Sequence, residues 1–411
     1  MNVAVVGGGY AGMAAAVTLA AAGVTVTVYE AGPVLGGRAR RVQSRGEAWD
    51  NGQHILVGAY GSLLGLMRTV GVPSDAVLRV PLELRYADGF TLRSLWLPAP
   101  FGLLGGLLLS HGLPLSERLG AVRFMATMRA RRFRLDADCS VSDLLALYRQ
   151  NGRIGHYLWH PLCVSALNTP PAMGSANAFL AVLRDSLAGD GDASDLLLPK
   201  VDLSRLFPEP AAEFICARGG EIRLSAPVRD LAALMRSHSH VIVAVGPHQL
   251  EPLLPGVAVA YTYQPICTCY LQYGNTAKLP FPMLGLAGGL VQWVFDRGAL
   301  LGEKGRLACV ISAQGDHQQM QQDEIAETCA RELAAFYPWL GTPLHSRVIM
   351  EKRATIACTP DLARIGPATA LTGVLLAGDY TDAEYPPTLE AAARSGIRAA
   401  GRLLRPSRTA R

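Results

Sequence analysis

Gly7, Gly9 and Gly12 stand in the spacing G-x-G-x-x-G, directly after the short apolar run from Asn2 to Val6. That spacing suits a pyrophosphate. The first glycine permits a tight turn, the second lets the backbone approach the phosphates, and the third lets a helix pack close on its strand. Tyr10 and Ala11 belong to the same loop, and Met13 to Ala22 reads as the helix whose positive end faces the anion. Gly23 stops that helix. Val24 to Tyr29 is a second strand, and it ends on Glu30, where a carboxylate can accept both ribose hydroxyls of an adenosine. Gly36-Gly37-Arg38 follows, a loop in which glycines allow close approach and the arginine can pair with a diphosphate. The chemistry at this end of the chain is dinucleotide binding.

The elements that must position these residues fit a large protein. A chain of 411 residues exceeds the usual ceiling for one hydrophobic core, so two connected domains are expected. Half of the residues are hydrophobic and 17% are charged. No apolar run reaches the roughly 18 residues that a membrane span requires, which points to a soluble or monotopic protein. The net charge is +5 with dispersed arginines, not the concentrated footprint of a nucleic-acid binder. An anionic membrane surface or a phosphate is the expected partner. Eight cysteines without CxxC or metal-ligand spacing read as reduced core thiols, so no metal is expected and the compartment is read as cytoplasmic.

Asp50-Asn51-Gly52-Gln53-His54 comes after the arginine motif. With the glycine loop, the terminal Glu30 and Gly37-Arg38 in this order, the chain resembles the FAD-dependent amine oxidase and phytoene desaturase superfamily. The resemblance implies noncovalent FAD. It also implies an α/β fold, with an FAD-binding Rossmann-like domain of the glutathione-reductase type and an inserted α+β substrate domain. The FAD domain is placed at 1–75, 205–258 and 345–411, and the substrate or membrane-associated domain at 76–204 and 259–344.

Near the carboxy terminus, Thr372 to Ala377 is an apolar strand ending on Gly378-Asp379. The resemblance implies that Asp379 holds the ribityl chain or pyrophosphate, that Gly52 and His54 lie by the cofactor, and that the backbone near Val228 touches the adenine. Thr388 is a plausible N-cap for a small-residue helix from Leu389 to Leu404. Aimed at the isoalloxazine, that helix would stabilise the anionic reduced flavin. Val241 to Val245 resembles the strand that closes the nucleotide domain. The Leu231 to His240 connection is short, so a trimmed adenine-side hairpin is expected.

The insertions carry the substrate reading. The segment 95–109 is apolar but broken by proline and glycine, and next to it Leu119, Val122 and Ala126 share a helical face while Arg123, Arg129, Arg131, Arg132 and Arg134 supply charge. An apolar wedge beside basic residues reads as peripheral attachment to the inner face of the membrane, or as the mouth of a lipid tunnel. A core segment with an exposed helix face is the plainer alternative.

The motifs around Trp159-His160-Pro161, Ala166-Leu167-Asn168-Thr169-Pro170-Pro171, Val182-Leu183-Arg184-Asp185 and Gly378-Asp379-Tyr380-Thr381-Asp382 resemble one branch of the superfamily, the hydroxysqualene dehydroxylases. That implies reductive removal of the hydroxyl of hydroxysqualene to give squalene, a hopanoid or triterpenoid precursor, with hydride from N5 of reduced FAD to an allylic cation. Asp185, His54 and Tyr385 are the candidates for polar groups near the flavin. Each has a plainer role: Asp185 as partner of Arg184, His54 as a loop anchor, Tyr385 as a packed aromatic. The sequence names no electron donor, and no second dinucleotide site for NADPH stands out. Two rival readings remain, a carotenoid desaturase or amine oxidase working in the oxidative direction, and a prenyl-lipid carrier resembling Rab GDP-dissociation inhibitors.

Overall fold

Five short segments from three regions of the chain assemble into one parallel sheet, in the order Glu221–Arg223, Thr25–Tyr29, Asn2–Val6, His240–Val243 and Val374–Leu376. The protein is described by a computed structural model over residues 1–44, 46–95, 97, 101–187, 192–257 and 259–405. Val3, Ala4 and Val5 are fully buried, as a strand covered on both faces must be. This sheet is the Rossmann-like core expected from the glycine loop.

The first helix spans Tyr10–Ala21 and so begins closer to the loop than the sequence pattern suggests. The Leu389–Leu404 helix has the expected bounds and packs across it. Small residues make this crossing possible. A Cβ on Gly396 would stand 2.2 Å from the Ala11 carbonyl oxygen, so only glycine lets the two backbones come this near. The adenine-side region departs from expectation. Only Glu221–Arg223 joins the sheet, and Asp230 caps a helix over Leu231–Ser237, which replaces the trimmed hairpin.

A second, antiparallel sheet has the order Met283–Gly285, Trp293–Asp296, Arg306–Ser312, Tyr263–Gln272 and His345–Ile356. Its two faces bury different clusters. One face, carrying Cys267, Cys269 and Ile311, packs on the Gln322–Phe336 helix. The other, carrying Tyr270, Trp293, Phe295 and Val310, meets a large apolar cluster from residues 82–198 that includes Phe124, Trp159 and Phe179. All eight cysteines are free and six are buried, in keeping with core thiols.

Phe101–Leu109 and Leu115–Ala130 are neighbouring helices in the inserted region. The second buries Ala121, Phe124, Met125 and Met128, while Leu119 and Ala126 are exposed and Val122 is half-buried, so the face singled out in the sequence is not the one that enters the core. The core lies on the side with the bulkier residues, and Leu119 is left 53% exposed. Trp96 and Pro98 to Pro100, also part of the expected apolar wedge, lie outside the described residues. No described helix is long and apolar enough to cross a membrane.

Candidate functional site

The carboxyl ends of the parallel strands carry the glycine loop, and Gly36 reaches back to it by donating its N–H to the Gly8 carbonyl at 2.9 Å. Gly9 caps the first helix without any side-chain hydrogen bond, and no acidic residue lies in the first turn. The first-turn amides are therefore without a side-chain acceptor, as a phosphate site requires. Glu30 sits at the end of its strand with one carboxylate oxygen accepting from Gly8 N–H and the other from Gly32 N–H, each at 2.7 Å. These bonds aim the carboxylate across the loop.

Arg38 lies on the other side. Its guanidinium donates to Asp379 Oδ1 at 2.8 Å and to the Ala354 carbonyl at 2.7 Å. Asp379 is 4% exposed. The pair brings two residues 341 positions apart into contact. Gly378 is tied to the last helix through its N–H and Ser395 Oγ at 2.9 Å, and Thr388 caps that helix by accepting from Ala391 N–H. Leu389 is half-buried on its first turn. Val228 is half-buried and packs against the cluster that holds Val6 and Val243. Together, these donors, the arginine and the side-chain-free loop fit a flavin dinucleotide.

The three polar candidates fall into two places. His54 is held by a contact between its Nδ1 and the Gly52 carbonyl at 3.2 Å, and burial, with help from the Arg38 charge, keeps its pKa below the ordinary imidazole range. Asp185 and Tyr385 lie together. Arg184 grips Asp185 with two donors, at 2.6 and 3.2 Å. Tyr385 is 3% exposed, and its phenol pKa is raised by burial and by the Asp185 charge. No hydrogen bond or ion pair among the described residues joins His54 to this second pair. Asp185 does have the adjacent arginine as its partner, the plainer of its two expected roles.

Several residues near the site escaped the sequence reading. Asp50 accepts from Leu203 N–H at 2.9 Å and from Arg297 at 3.1 Å, and Asn51 donates to Glu351 at 3.1 Å. Asp50 and Asn51 were legible as a motif, but their partners come from two short helices and a strand far along the chain and carry no local signal. A surface cavity of about 450 Å³, lined by Gln292, Ser312, Gln314 and His317 among others, sits by the Gln322–Phe336 helix and so on the face of the antiparallel sheet turned away from the large apolar cluster. It has no part in this site.

The site makes a first prediction. Glu30→Ala should weaken FAD binding by about tenfold or more, since a charged acceptor is worth roughly 1.5–3 kcal/mol. Titration of the apoprotein with FAD measures it, and unchanged affinity would mean that Glu30 does not meet the ribose.

Residues 10–404 match the family described as flavin containing amine oxidoreductase. The hydroxysqualene dehydroxylase of Rhodopseudomonas palustris is 30% identical, with 98% of each chain covered. That of Sinorhizobium fredii is 29% identical over 97% of each. An oxidoreductase of known structure from Methanosarcina mazei superposes with a TM-score of 0.73 at 16% identity, covering 98% of this chain and all of its own. This chain belongs to the flavin containing amine oxidoreductase family, and it is an FAD-dependent oxidoreductase.

Proposed function

We propose that this enzyme removes the hydroxyl group of hydroxysqualene reductively to give squalene, as a step toward hopanoids or other triterpenoids. The observation that carries the reading is its similarity, over nearly the full length of both chains, to enzymes named for that reaction. Gly7, Gly9, Tyr10, Ala11 and Gly12 hold the pyrophosphate, with Arg38 and Asp379 opposite. Glu30 takes the ribose and the backbone at Val228 the adenine, while Gly37, Gly52, His54, Gly378, Thr388 and Leu389 complete the cofactor contacts. The FAD domain comprises 1–75, 205–258 and 345–411, with the strand His345–Ile356 lending one edge to the antiparallel sheet of the substrate domain.

Reduced FAD supplies the hydride that replaces the hydroxyl. The protein must favour departure of that hydroxyl and keep water from the allylic cation left behind. A thirty-carbon chain gains about 0.8 kcal/mol for each methylene it buries, so the pocket that takes it must be apolar; the inserted region, built around the buried cluster of Phe124, Trp159, Phe179 and Trp293, is the apolar body suited to form it. Of the three polar candidates, His54 is pushed toward its neutral form by burial and Asp185 is engaged by Arg184. Tyr385 keeps its proton, because burial opposes the phenolate. Its hydroxyl is assigned to hold the departing oxygen by donating a hydrogen bond to it.

The substrate is delivered from a membrane surface in this reading. The exposed leucines and arginines of the two neighbouring helices in the inserted region support it, and the enzyme sits peripherally on the inner face. Photoreduced protein incubated anaerobically with hydroxysqualene should yield squalene, and oxidised protein should yield none. A polyene formed by the oxidised protein would replace this reading with a desaturase.

A further inference from the structure

The segment from Asp50 to His54 is clamped from two sides. Asn51 donates from Nδ2 to the Arg38 carbonyl at 2.9 Å and to Glu351 at 3.1 Å. On the opposite side, Tyr270 Oη donates to the Asp50 carbonyl at 2.9 Å. Gly52 between them has φ +109°, a conformation that strains any other residue. The ring of His54 leans on the Gly52 carbonyl. The geometry of the whole loop therefore passes to that imidazole.

One side chain secures this clamp. Arg297 starts the short helix after the strand Trp293–Asp296, and it is 2% exposed. Every nitrogen of its guanidinium donates. Nε and Nη2 form a fork on Glu303 at 2.7 and 2.8 Å, while Nη1 is shared between Asp50 Oδ2 at 3.1 Å and Gln53 Oε1 at 3.0 Å. The Tyr270 ring lies beneath the cation at 5.3 Å. A buried ion network of this kind is poor value as a source of stability, because apolar residues of similar volume often do as well. Its fork does fix direction, which a lysine could not do.

We propose that Arg297 is a positioning residue for the cofactor loop, anchored by Glu303 and holding Asp50 and Gln53 so that His54 meets the flavin in one orientation. The proposal rests on the reading that residues 52 and 54 contact FAD. It does not depend on the identity of the substrate. The chain of contact runs from Glu303 through Arg297 and Gln53 to the peptide that carries His54.

Two variants test it. Gln53→Leu cuts the loop from Arg297 and leaves the pairs with Asp50 and Glu303 in place. Arg297→Lys keeps the charge and loses the fork. In each, the His54 imidazole is titrated by NMR in protein without flavin, and FAD affinity is measured separately. In Gln53→Leu, His54 should titrate at higher pH than in the wild type, since a loosened ring regains water, and FAD should bind about tenfold more weakly with the melting temperature unchanged. Arg297→Lys should show both changes more strongly. A Gln53→Leu protein with the wild-type titration and affinity overturns the proposal. So does an Arg297→Lys protein that melts early while Gln53→Leu is silent, because Arg297 would then be only a structural ion pair. Gly52→Ala serves as the separate check on the loop itself: unchanged FAD affinity there would remove the cofactor reading of residues 52 and 54, and this proposal with it.

Discussion

Gly12→Ala should abolish useful FAD binding and lower the melting temperature of the apoprotein. A Cβ at this position would stand 2.0 Å from the Gly7 carbonyl oxygen and 3.2 Å from the Ala244 Cβ. The first of these is backbone in the phosphate loop, so no rotamer change relieves it. The helix must then move away from its strand, and the loop whose shape receives the pyrophosphate opens with it. Overpacking of this kind costs about 3 kcal/mol, enough for a loss of more than a hundredfold in affinity. Gly401→Ala is the matched control, since nothing lies within 4 Å of its added methyl and it sits within the Leu389–Leu404 helix. That change should stabilise the protein by roughly 0.5–1 kcal/mol through helix propensity. FAD titration and thermal melting of the two variants give the comparison. A Gly12→Ala protein that binds FAD like the wild type would mean that the close crossing of loop and helix is not needed.

What could be read ahead of the structure follows from how local each signal is. The glycine loop, Glu30 and the Leu389–Leu404 helix are legible because neighbours in sequence dictate them: a turn, a strand end, an N-cap and a run of small residues. The pairing of Arg38 with Asp379 was foreseeable only as two residues suited to the same diphosphate. Arg297 was not legible at all, for its partners Asp50 and Gln53 lie 247 and 244 positions away, and a lone arginine at a strand end has no pattern. The Leu115–Ala130 helix was legible only in part. It carries apolar residues on two sides, and periodicity alone does not say which side faces the core. The bulk of Phe124, Met125 and Met128 decided it, and the smaller face turned outward.

That outward face leads to the other large effect: vesicles of anionic lipid should bind the wild-type protein and fail to bind a Phe101→Glu, Leu109→Glu double variant. Phe101 is 62% exposed, Leu109 69% and Leu115 64%, on two helices that Arg118 staples together by donating to the Leu108 and Leu113 carbonyls. Single exposed leucines are ordinary on a protein surface, but several on adjoining helices form a patch that needs an occupant. Charge indicates which. Arg123 and Arg129 lie further along the second helix and Arg131, Arg132 and Arg134 follow its end; all are exposed, and none forms an ion pair among the described residues. An anionic bilayer satisfies both halves. On such a bilayer the apolar side chains would enter the acyl boundary, and each arginine near the headgroups would contribute about 1 kcal/mol. Loss of the two apolar contacts removes roughly 2–4 kcal/mol, before any repulsion between the new carboxylates and the lipid. Arg131→Glu with Arg132→Glu should weaken binding as well, most at low salt, whereas the apolar variant should be weak at every ionic strength. This contrast separates a membrane foot from simple charge attraction. Cosedimentation that survives both double variants would assign the bilayer to another surface, and wild-type protein that never cosediments would leave the patch as the rim of an internal lipid tunnel.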